Sequence, residues 1–260
     1  MNRNRLRATL ASAILLLTAG CTTSTSNPPD SAGTPAYRPP EQVRNATVVW
    51  SAESDVNLFD SHSTLVRAAA EALEVAVLAG PEKSYPGFDQ AVTDPTTRDI
   101  YFRSGSRATA YGTLYKHIFD IIPTNGGFTA LTCTLFKEFA YESEHGYKIP
   151  QSGRRGNALS ITFSNIASSH TEIPRATTTS TPASTTPSPR TSGPAEWEAP
   201  EDNLFEGWTI EPGSADDYRS ERCAPWIATL EPNAPAETET VTTDSPPQAL
   251  PAYPGWPKLH

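Results

Sequence analysis

Five histidines, three cysteines and scattered acids are the residues of this 260-residue chain with chemistry to offer. His62, His117, His145, His170 and His260 stand apart, and no two share the spacing of metal ligands. There is no Cys-x-x-Cys, no Gly-x-Ser-x-Gly elbow and no glycine-rich phosphate loop. No metal and no cofactor is therefore expected. His117 lies between Tyr115 and Phe119 in a run that reads as a strand. It would serve as a general base if a carboxylate met it in a pocket. The plainer reading is a core-edge histidine bonded to backbone. Asp120 has the opposite parity on the same run, so a regular strand faces it away, and a dyad would need a bulge. Glu138, Glu142 and Glu144 gather near Lys137 and Lys148. Paired acids can hydrolyse a glycoside, but a charged stretch of this kind reads first as a solvated loop.

The cysteines say more about place than about reaction. Arg3, Arg5 and Arg7 precede an apolar run from Ala8 to Ala19. The run falls short of the ~20 residues that span a bilayer, and it suits a secretory signal peptide over residues 1–20. Thr18-Ala19-Gly20-Cys21 follows, and it resembles a bacterial lipobox, with Thr18 where Leu is commoner. That resemblance implies cleavage before Cys21, a diacylglyceryl group on its sulfur and an acyl group on the new amine. More than one acyl chain gives stable anchoring. The resemblance thus places the protein outside the cell, lipid-anchored to the outer face of the bacterial plasma membrane. Loss of the three arginines takes the net charge from −9 to −12. So acidic a chain is not expected to bind nucleic acid or to hold anionic lipid by charge.

Cys133 and Cys223 remain, 90 residues apart. An even pair in an exported chain reads as a disulfide. Closing such a loop stabilises by roughly 4–5 kcal/mol in the chain-entropy account. Two free buried thiols are the other reading.

The elements that would position these residues occupy about half the chain. Hydrophobic residues make up only 37% of it, and prolines number 25. Residues 21–42 form a tether after Cys21, rich in Ser, Thr and Pro, that cannot offset the entropy of ordering. Residues 43–168 read as the domain. Leu65, Ala69, Ala72, Val75, Ala76 and Ala79 recur at helical spacing, with N-cap candidates at 60–63 and a stop at Gly80-Pro81. Residues 113–122 then read as a strand, Asn125-Gly126 as a hairpin turn, and 128–136 as the returning strand. Leu159, Ile161 and Phe163 alternate with polar residues as a half-buried strand. Residues 169–195 read as a disordered Ser/Thr/Pro linker. Residues 196–230 are too few to fold alone and would dock through Cys223. Residues 231–260 read as a disordered proline-rich tail, with Tyr253-Pro254-Gly255-Trp256 as a small docking patch.

Helices followed by strands make the fold class α+β. The expected form is one long helix packed on a curved antiparallel sheet of three or more strands. This order resembles the nuclear-transport-factor-like cone and its cystatin-like relatives, a likeness of architecture that carries no function. The lipobox, the tether, Val49-Trp50-Ser51-Ala52-Glu53 and Leu65-Val66-Arg67-Ala68-Ala69 look like exported lipoproteins of actinobacterial, mycobacterial-type envelopes. That likeness implies a location and supplies no catalytic residues. Two functions are then expected to compete. One is non-catalytic binding of an envelope protein or an apolar small molecule, with Tyr115, His117, Phe119, Phe128, Phe136 and Phe163 lining a pocket. The other is an enzyme using His117 with Asp99 or Glu138 in that same pocket.

Overall fold

The computed structural model describes residues 36–103, 107–166, 195–214 and 221–257. The expected signal peptide, Cys21 with the tether as far as residue 35, and the linker up to residue 194 lie outside the described residues. So do His170 and His260.

The chain enters the fold through strand β1 (Asn45–Ala52) and crosses over in helix α1 (Ser61–Ala79). Asp60 caps the helix, its carboxylate accepting from the Ser63 amide at 2.7 Å. Gly80 ends it at φ +113°, with its N–H still bonded to the Ala76 carbonyl. Two short helices follow, α2 (Phe88–Ala91) and α3 (Pro95–Arg98), the latter running into a π-helical turn at Asp99–Arg103. Strands β2 (Ala110–Thr124) and β3 (Gly127–Ser143) then make a long hairpin about Asn125-Gly126. Gly126 sits at φ +91°, the conformation this tight turn demands. Strands β4 (Gly146–Gln151), β5 (Asn157–Asn165) and β6 (Trp208–Ser214) follow, then helix α4 (Ala224–Leu230) and strand β7 (Glu239–Thr243).

The fold is α+β, but its sheet is mixed and not antiparallel throughout. β1 pairs parallel with β2 because α1 carries the chain across the sheet between them. The rest is antiparallel, in the order β1-β2-β3-β4-β7, with β5 joined to β3 and β6 joined to β5. β3 divides the sheet. Its first half pairs with β5 and its last three residues pair with β4. Residues 137–143, expected in a polar loop, continue β3 because Phe139 and Ala140 are fully buried. Among the described residues three of the four helices are short, and none is long and apolar enough to cross a membrane.

α1 is sheathed on nearly every side, and its alanines let neighbours approach closely. Two charges lie in that sheath. Glu71 is 2% exposed. It accepts from Trp50 Nε1 at 2.7 Å on one oxygen, and from Tyr85 Oη at 2.6 Å and Trp256 Nε1 at 2.7 Å on the other. Indole N–H groups only donate, so both oxygens must serve as acceptors. Burial pushes the Glu71 carboxyl above its ordinary value, and Arg67 and the three donors oppose that push. Trp197 Nε1 donates to Tyr85 Oη at 2.8 Å. Arg67 lies 4.5 Å from the centre of the Trp256 ring and donates to the Pro254 carbonyl at 2.9 Å.

The C-terminal segment therefore corrects the expectation of a disordered tail. β7 pairs with β4, and residues near 253 run along the free edge of β1. Trp50 N–H donates to the Tyr253 carbonyl at 2.6 Å, and Tyr253 N–H donates to Val48 at 3.1 Å. Proline lacks an amide donor, so it is tolerated in such an edge strap. Residues 196–230 are likewise held by more than a disulfide. Trp197 is buried, β6 pairs with β5, and Trp208 packs edge-on against Phe128 at 5.6 Å.

Glu71→Gln turns an acceptor into a donor facing Trp or Tyr hydrogens. The variant is expected to lose about 3 kcal/mol in urea unfolding. A loss under about 1 kcal/mol would show that the carboxylate is dispensable.

Candidate functional site

The face of the sheet away from α1 holds His117. Parallel pairing sets Ser51 directly across from it, and the hairpin sets Cys133 across from it on the other side. Ser51 Oγ lies 2.8 Å from His117 Nδ1. Glu53, two residues on, brings Oε1 to 3.4 Å from Nε2. A neutral ring with its proton on Nε2 satisfies both contacts, donating to Glu53 and accepting from the serine hydroxyl. Burial holds His117 below its ordinary value, with Glu53 pulling the other way.

Helix α4 covers this group. The Cys133–Cys223 disulfide fastens its start to β3. Trp226 stacks on the His117 ring at 5.2 Å and donates through Nε1 to Ser51 Oγ at 3.1 Å. Arg222 lies over Phe119 at 4.0 Å and pairs with Asp120 at 2.8 Å. A register shift between Ile118 and Asp120 supplies the bulge that a His117–Asp120 dyad would need. Arg222, and not His117, takes the carboxylate. Ile227 and Ala234 complete a small apolar cluster with Leu135 and the disulfide.

Serine, imidazole and carboxylate in contact are the parts of a nucleophilic triad. Here the hydroxyl is engaged by an indole N–H, the ring is 5% exposed, and the acid contact is long. The group is a hydrogen-bonded polar cluster, its serine and histidine covered by a helix and its carboxylate open to solvent.

The six aromatic and histidine positions expected to share one pocket do not. Phe128 and Phe163 stack at 4.5 Å within the main core. Phe136, half-buried, also faces that core. Tyr115, His117 and Phe119 lie on the opposite face, with α4. Alternation along β2 and β3 sends neighbouring residues to opposite sides, and this divides the set. The acids expected to serve His117 are also occupied elsewhere. Asp99 pairs with Arg103 at 3.0 Å, and Glu138 accepts from Tyr115 Oη at 2.6 Å. Glu142 receives Tyr111, so the acid cluster is spread along β3. His62 lies against Phe128, and His145 sits in the β3–β4 turn. Among the described residues no three His, Cys, Asp or Glu side chains gather as a metal site.

Ser51 on β1 and Glu53 just past its end are site residues that the sequence marks only by their two-residue spacing. Glu71 was missed as well. Its signal was a pair of charges, Arg67 and Glu71, inside an alanine-rich helix. Compared with known families, curated proteins and solved structures, the chain finds no match.

Two outcomes test the role of α4. Replacing Cys133 and Cys223 together by Ala is expected to lower urea stability by about 4 kcal/mol, and an unchanged midpoint would overturn the staple. The fold favours neutral His117, whereas the unfolded chain takes a proton near its ordinary pKa of about 6.5. The unfolded state thus binds more protons just below that value, and stability falls with falling pH. Urea stability should drop between pH ~7 and ~5. His117→Asn should lose part of that drop, and an identical profile would contradict the assignment.

Proposed function

We propose that this chain is an exported lipoprotein, held through Cys21 at the outer face of the plasma membrane, that binds an envelope protein without catalysis. On this reading it belongs with the exported lipoproteins of actinobacterial envelopes. The observation that carries the reading is the disulfide that fixes α4 over His117. It implies an oxidising compartment, and it closes the group that catalysis would need open. The architecture is read as a relative of the cone-like and cystatin-like folds. α1 lying on one face of the sheet favours that relationship, and the parallel β1 is a departure from it. A second reading rests on the Ser51–His117–Glu53 contacts, which would become an acid–base site if α4 moved away.

Cys21→Ala should move the protein from the membrane fraction to the soluble exported fraction. Continued membrane association would sink the anchor. Crosslinking of the anchored protein should then yield a discrete protein adduct. Labelling of Ser51 by a serine-reactive fluorophosphonate would favour the second reading instead.

A further inference from the structure

On the α1 side of the sheet the main core is interrupted by a cleft of about 170 Å³. Its floor is Lys116, whose side chain is 1% exposed. The ammonium donates to Glu74 Oε1 at 2.9 Å and to Thr134 Oγ1 at 3.1 Å. It carries three protons, and among the described residues the third has no acceptor. Half-buried Tyr101 and exposed Asn157 stand at the rim of the same cleft. The walls between these groups are apolar, formed by Leu73, Val77, Phe136 and Leu159. An ammonium with one proton left to give thus forms the floor of an apolar-walled space of limited size.

Size and charge narrow what fits. A dry cavity of about 150 Å³ holds one benzene. The cleft is of that order, so its occupant has an apolar body of about one ring. Lys116 and Glu74 cancel each other, so an anion meets Glu74 as much as Lys116, and a cation meets the reverse. A neutral head with an acceptor and a donor suits both. We propose that the Lys116–Glu74 cleft binds a small neutral carboxamide with a ring-sized apolar body. Its carbonyl accepts from Lys116 Nζ, and its N–H donates to the Glu74 carboxylate or to Asn157. Such binding is separate from protein partnering and does not depend on it.

Benzamide is the probe. Titrated into the full-length chain and followed by ¹⁵N–¹H NMR, it is expected to shift the Thr134, Asn157 and Leu159 amides saturably, with Kd on the order of 1 mM. Benzoate and toluene should each bind several-fold more weakly. Lys116→Met should weaken benzamide about tenfold while sparing toluene. Val77→Phe, which fills the cleft from the half-buried side of α1, should abolish both and covers the case in which the lysine variant fails to fold. Absence of saturable shifts with benzamide overturns the proposal. So does equal affinity for benzoate, or unchanged benzamide binding in Val77→Phe.

Discussion

A carboxylate buried in the middle of α1 organises this molecule. Glu71 gathers hydrogen-bond donors from β1, from the turn after α1 and from the C-terminal strap, and Tyr85 extends the group to Trp197. A buried carboxylate is expensive unless its lone pairs are filled by well-placed donors. Each donor comes from a separate stretch of chain, so none can leave without exposing the group to that penalty. The α1 side of the sheet is therefore assembled around a polar point, with the alanines of the helix allowing three indoles and a phenol to approach. Apolar burial supplies the bulk of the attraction, and the carboxylate fixes which aromatic sits where.

The other side of the sheet is closed by a different device. There the covering helix has only seven residues, too short to be stable by itself. It is kept in place by a covalent bond to β3, by the Arg222–Asp120 pair and by Trp226 on His117. Noncovalent cooperation secures one face, and a bond between sulfurs secures the other. This division bears on function. A histidine and a serine brought together by strand register are covered by the covalently held piece, with Glu53 reaching the ring from the exposed side, while the Lys116 cleft lies under the noncovalently held helix.

Local features were legible in the sequence because their causes are local. The Asn125-Gly126 turn, the alternation of Leu159, Ile161 and Phe163, and the spacing in α1 each depend on residues close together. The Cys133–Cys223 bond was legible by counting. The parallel pairing of β1 with β2 was not, since nothing in eight residues of β1 names a partner sixty residues away. The same limit hid the His117 site, whose members meet only through that register. Residues 137–143 look polar from Lys137, Glu138 and Glu142, and only the distant pairing partners of β3 bury Phe139 and Ala140 between them. The tail looks disordered by composition, yet Tyr253 and Trp256 find edge and socket on a core built elsewhere. Proline content measures how little a segment can pair with itself, and it does not measure what a finished core can hold.

The Trp256 contact also sets an order of events. Its indole reaches Glu71 across 185 residues of sequence. Chains grow from the N-terminus, so α1 is complete long before that donor exists. Until then one oxygen of the carboxylate is a donor short, and the interior that surrounds it is unfinished. Residues 195–198, which bring Trp197, arrive late as well. A chain that lacks its last residues has Trp50 and Tyr85 on the carboxylate but not Trp256, so this corner of the core is completed only when synthesis is nearly over.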